Sequence, residues 1–182
     1  TEVYSCEGTV SDPDAFAGCR EYLGNAGRNV QTLFTDSFEI AEENADALLD
    51  ARNNWQGNVR VVAESIDLGG YSLQIEENRV SRTIASTTIS VGSFYELQFI
   101  ARGEVSRMEV LLEQEGDNEP VALFTFDPSV NQARAISVGN SWQQYRLGPV
   151  QFDPKSNQGD ARVTFVTTPV AGGRVQVYID QV

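Results

Sequence analysis

The stretch Ser93-Phe-Tyr-Glu-Leu-Gln-Phe-Ile-Ala-Arg-Gly-Glu104 decides how this chain folds. Tyr95, Leu97, Phe99 and Ala101 alternate with Phe94, Glu96, Gln98, Ile100 and Arg102. A period of two belongs to a β-strand, whose successive side chains leave opposite faces. The first set is apolar and the second mixes charged and amide groups with apolar ones, so one sheet face is buried and the other meets water. Working outward, β-branched and aromatic runs recur on both sides. "VQTLFT" starts at Val30, "VRVVAE" at Val59, "YSLQIEE" at Tyr71 and "RTIASTTIS" at Arg82; "RMEVLLEQE" starts at Arg107, "VALFTFD" at Val121, "QARAISV" at Gln132, "QQYRLGPVQF" at Gln143 and "ARVTFVTT" at Ala161. The last is Arg174-Val-Gln-Val-Tyr-Ile-Asp-Gln-Val182. Clusters of Gly, Pro, Asn and Asp separate them. About ten short strands at this spacing indicate a β-sandwich or barrel, not alternating βαβ units.

The first 32 residues read differently. In "SDPDAFAGCREYLGNAG", Ser11 or Asp12 is an N-cap, Pro13 a first helical residue, and Gly24 with Gly27 are stops, which predicts a short helix. Cys6 and Cys19 are the two cysteines of the chain. A disulfide between them closes a short loop, worth on the order of 3 kcal/mol by chain entropy, and implies an oxidising compartment. The rival, a free or metal-binding thiol pair, lacks CxxC spacing and any histidine to complete a site. Residues 1–32 are thus expected to form a bridged extension on a main domain at 33–182. "EIAEENADALLDARN", from Glu39, is either a helix or a polar loop.

At 182 residues, one domain plus an extension fits the length. Twenty-six acidic against 13 basic residues give a formal charge of -13, and Lys155 is the single lysine. Phosphate binding needs clustered Lys and Arg, so nucleic acid is not an expected partner. No apolar run is long enough to span a bilayer, no membrane partner is expected, and any export leader is expected to have been removed already. No histidine is present. That excludes Ser-His-Asp and Cys-His chemistry and HExxH zinc sites, and leaves oxygen ligands for any metal, which favours calcium. Acidic pairs for glycoside hydrolysis exist by type, but "EENADALLD" and "EQEGDNE" read as solvated segments, so no catalysis is expected.

Three stretches in order carry a resemblance: "TDSFEIAEEN" onward from Thr35 to Trp55, "LGGYSLQIEENR" from Leu68 to Arg79, and the closing "VYIDQV". With "VGSFYELQFIARGE" and "GNSWQQYRLGPVQF" between them, they resemble extracellular carbohydrate-binding modules of the family four, nine and twenty-two type, with a galactose-binding-like jelly roll. The resemblance spans about Leu33 to Val182. It implies an all-β jelly-roll sandwich of two antiparallel sheets, secreted and non-catalytic, that binds a polysaccharide and targets an attached catalytic domain. It also implies a structural Ca²⁺ where the first strand meets the last. The side-chain ligands would be Glu39 and Asp180, with carbonyls near Asp36 and Gly69 or Gly70. Gln181 stands where the family's second acidic residue is usual.

Sugar recognition rests on aromatic rings stacked on pyranose faces and polar groups that bond hydroxyls. The aromatic supply is Trp55, Tyr71, Phe94, Tyr95, Trp142, Tyr145 and Tyr178. Tyr95 and Trp142 are assigned to the core, Trp55 equally to core or platform. The candidate ligand residues are Trp55, Arg79, Gln98, Arg102, Gln176 and Tyr178, and the acidic surface favours a neutral glycan such as β-glucan or xylan. The chain is expected to be a monomer. A structural or adhesive β-sandwich without sugar affinity is the alternative, and a small jelly-roll lyase or hydrolase a third.

Overall fold

A computed structural model describes residues 33–34, 38, 54–63, 70–127, 132–133, 135–155, 159–180 and 182. Among them are thirteen strands and no helix. In chain order these are β1 (Trp55–Gln56), β2 (Val59–Val62), β3 (Ser72–Ile75), β4 (Arg79–Ile84), β5 (Phe94–Gly103), β6 (Val105–Gln114), β7 (Ala122–Leu123), β8 (Phe126–Asp127), β9 (Gln132–Ala133), β10 (Ile136–Val138), β11 (Gln143–Gln151), β12 (Ala161–Pro169) and β13 (Val177–Asp180). One sheet has the order β1-β4-β12-β6-β10, with β7 also beside β6, a second has the order β11-β5-β13-β3-β2, and β8 and β9 pair as a separate two-stranded ribbon. Every pairing is antiparallel. This is the expected β-sandwich.

The alternation read in β5 holds. Leu97, Phe99 and Ala101 are buried, while Phe94 and Gln98 are exposed. Their partners continue the inner layer: Val177 and Ile179 on β13, Leu73 and Ile75 on β3, Val59 on β2. Phe165 and Val163 on β12 with Val80 on β4 supply the facing layer. An aromatic chain ties the two sheets. Tyr145 stacks on Phe99 at 5.2 Å, Phe99 meets Phe165 edge-on at 5.4 Å, Phe165 lies 5.8 Å from Trp55, and Trp55 6.4 Å from Phe38. Pairs of this geometry add to the stabilisation that burial alone provides.

β5 and β6 belong to different sheets, and the chain crosses between them at Gly103 and Glu104. A Cβ on Gly103 would stand 2.4 Å from the Gln176 carbonyl oxygen, so only glycine lets the strand pass β13 this closely. On β11 the register slips between Leu147, opposite Leu97, and Val150, opposite Tyr95. Gly148, with φ 92°, takes up the extra residue as a bulge.

Several boundaries differ from the sequence reading. β4 begins at Arg79 and stops at Ile84, because a turn closed by Thr88 N–H to the Ala85 carbonyl replaces the rest of "RTIASTTIS". "VALFTFD" splits into β7 and β8, and "QARAISV" into β9 and β10. The first described strand, β1, lies in the sheet opposite β13, and β13 is central, flanked by β3 and β5. The predicted helix, Cys6, Cys19 and the segment from Glu39 lie outside the described residues.

Tyr145 gives a pH prediction. Its hydroxyl donates toward the Ser137 carbonyl at 3.2 Å and Gln143 Oε1 at 3.1 Å, and burial raises its pKa above the ordinary tyrosine value. The unfolded chain therefore releases this proton first, at about pH 10. The contribution is fully present below that pH and is lost as the pH rises toward the folded value. Tyr145→Phe is expected to flatten the loss of stability above about pH 10, read from urea midpoints across an alkaline series.

Candidate functional site

The outward face of the five-stranded sheet collects one polar or aromatic side chain from each strand. Register places Tyr178 of β13 beside Arg102 of β5 and Gln74 of β3, and Gln74 beside Arg60 of β2. Trp142 immediately precedes Gln143, which pairs with Ala101, so alternation puts its ring on the same side as Arg102. Four strand spacings make this row about 19 Å long.

Its centre is built from cations and rings. The Arg102 guanidinium lies 5.3 Å from the Trp142 ring centroid and 5.0 Å from that of Tyr178. Each such contact contributes about 0.5–1 kcal/mol at an exposed site and holds all three side chains in one arrangement. The Gln176 amide donates to the Tyr178 hydroxyl at 2.7 Å. At the other end Arg60 donates to Gln74 Oε1 at 3.0 Å and pairs with Glu76 at 2.5 Å, and the Gln74 amide reaches Glu76 at 3.1 Å. Further along β5, Glu96 Oε1 accepts from Arg146 at 2.6 Å and from Gln98 at 2.7 Å. The face thus presents ordered rings next to amide and guanidinium groups, an arrangement suited to a ligand with apolar faces and many hydroxyls.

Of the six predicted ligand residues, Arg102, Gln176 and Tyr178 come together here, and Gln98 lies on the same face four residues along β5, bonded to Glu96. Trp55 does not join them. It is 5% exposed, against Phe165 and Phe38 in the core, because its strand pairs with β4 on the inner side of the other sheet. Arg79 also lies on that other sheet, ion-paired to Glu113, which accepts a hydrogen bond from Thr164 as well. Trp142, assigned to the core, is instead partly exposed on the polar face. The signal was present: in "SWQQYRLG" Trp142 alternates with Gln144 and Arg146, not with Tyr145 and Leu147. Arg60 and Gln74 were equally legible as the polar alternates of Val59, Val61, Leu73 and Ile75.

Of the expected metal ligands, Asp180 is wholly buried and Gly70 is buried, while Asp36 and Glu39 lie outside the described residues. Ile179 pairs with Leu73, so Asp180 falls level with Ser72, two residues from Gly70. A carboxylate and backbone carbonyls are oxygen donors, the ligand type a hard cation takes. Among the described residues no group of three or more His, Cys, Asp or Glu gathers at one point.

No protein-family profile matches the sequence, and no curated protein sequence matches it significantly. Solved structures do. The tandem CBM22-1–CBM22-2 domain of Paenibacillus barcinonensis Xyn10C superposes with a TM-score of 0.56 at 16% identity, over 83% of this chain and 44% of that one. The CBM22-1–GH10 modules of Clostridium thermocellum endo-1,4-β-D-xylanase 10B, complexed with xylohexaose, give 0.53 at 10% identity, over 84% and 28%. The chain spans less than half of either protein. Two antiparallel sheets in this order, superposing on those modules, are the jelly-roll β-sandwich fold of the carbohydrate-binding modules.

Proposed function

We propose that this is a secreted, non-catalytic module that binds a neutral polysaccharide on the outward face of the five-stranded sheet and holds an attached catalytic domain near its substrate. The observation that carries the reading is the Arg102 guanidinium set between Trp142 and Tyr178, with Gln98 and Gln176 on the same face. Ring faces stack on pyranose faces, and amides bond hydroxyls. Arg60 and Arg146 are each matched by a carboxylate, Glu76 and Glu96, which favours hydroxyl-rich over anionic sugars. A module with a weak site raises the local concentration of whatever is tethered to it. Affinity electrophoresis and calorimetry against xylan, β-glucans, mannan and galactans test this. Xylan comes first because the Clostridium neighbour of the same fold was solved with xylohexaose. Retardation by at least one polymer, without release of reducing ends, is the expected result; migration unchanged on all of them leaves the structural, sugar-free sandwich as the reading.

The module is further proposed to hold a structural Ca²⁺ through Asp180 and Glu39, with carbonyls near Asp36 and Gly70. The ion would take the Asp180 carboxylate as one of its oxygen ligands and tie the segment before β1 to the end of β13. Binding only to the folded state stabilises by about 2.7 kcal/mol at a hundredfold excess over Kd. At about 2–4 °C per kcal/mol, the melting temperature should rise by roughly 5–10 °C in calcium over a chelator. Asp180→Asn should lose that dependence. Equal melting temperatures in calcium and EDTA would count against the site.

A further inference from the structure

We infer that Phe94 is a second aromatic platform, which grips the same polysaccharide at a point remote from Trp142 and Tyr178; this rests on the glycan-binding reading above. Phe94 is 67% exposed, the most open of the large apolar side chains among the described residues. It shares a face with Arg102: both are outward residues of β5, eight positions apart, roughly 27 Å at about 3.4 Å per residue. Opposite Phe94 in register is Gln151, whose amide is held by a hydrogen bond to the Gly92 carbonyl at 3.2 Å. Val91, 52% exposed, stands three residues before it. Ring and fixed amide together repeat the chemistry found around Tyr178 and Gln176.

The surface between the two platforms is polar and ordered at Glu96 and Gln98, with the partly buried Ile100 lying between Gln98 and Arg102. Glu96 accepts from both Arg146 and Gln98 there. A lane with rings at its ends and hydrogen-bonding groups in its middle matches an extended chain of hydroxylated rings running along β5. An isolated exposed phenylalanine needs no explanation, but this one lies in line with the other ring cluster on one face. Two linked contacts bind more tightly than either alone only when one ligand spans both, so affinity should depend on ligand length.

The test measures, by calorimetry, the polymer that the wild-type chain retains and its oligosaccharides from the disaccharide upward. Phe94→Ala is expected to bind the shortest oligosaccharides as the wild type does, and to lose at least about tenfold in affinity for the polymer, within the gain a linked second contact brings. Phe94→Tyr should restore polymer affinity and Phe94→Leu should not, which separates stacking from mere apolar contact. Unchanged polymer affinity in Phe94→Ala overturns the proposal while leaving the Trp142–Tyr178 site intact, as does a change only in oligomeric state. Failure of the wild type to bind any glycan overturns both.

Discussion

Trp142→Ala and Tyr178→Ala are each expected to weaken polysaccharide binding by about thirtyfold, some 2 kcal/mol, the range of an aromatic anchor at an interface. Each ring loses its own stacking surface and also one side of the Arg102 clamp. With one ring gone, Arg102 gains rotational freedom, and the cost of ordering it falls on ligand binding. Because both rings act on the same guanidinium, the double variant should lose less than the sum of the single losses. Both side chains are partly exposed, so thermal stability should change little. Calorimetry beside thermal unfolding separates the two effects. Wild-type affinity in both single variants would remove the face from consideration.

Phe165→Ala is expected to cost about 3–5 kcal/mol of stability, as large aromatic truncations in cores do. Phe165 is fully buried on β12, a strand paired on both sides, and its ring contacts Phe99 from the opposite sheet and Trp55 from its own. The cavity left behind opens at the point where the two sheets meet, where neither backbone can collapse to fill it. Domains of this size have about 5–15 kcal/mol in total, so the loss is a large part of it. At about 2–4 °C per kcal/mol, the melting temperature should fall by roughly 6–20 °C. A fall no larger than that of Phe94→Ala, an exposed ring, would contradict the packing described.

The sandwich was legible because β-strands advertise burial with a period of two. Leu97, Phe99 and Ala101 on β5, and Val177 and Ile179 on β13, went to the core as their spacing required. The same period set Tyr178 and Gln176 opposite that apolar stripe, and the structure has them together on the outward face. Trp55 could not be placed this way. Its strand is two residues long, too short to show an alternation, and a tryptophan's size fits core and platform equally. Trp142 was misplaced for the opposite reason: likeness to a packing tryptophan outweighed the alternation that set it with Gln144 and Arg146.

By itself the sequence determined which side of the longer strands carries the core, because that follows from local spacing and the cost of burying polar groups. Only the tertiary structure decided which strands are neighbours, and therefore that Arg102 of β5 meets Tyr178 of β13 and Trp142 before β11. Residues far apart in the chain become one face only through strand order, which depends on how two sheets pack across a shared core and not on any single strand's pattern.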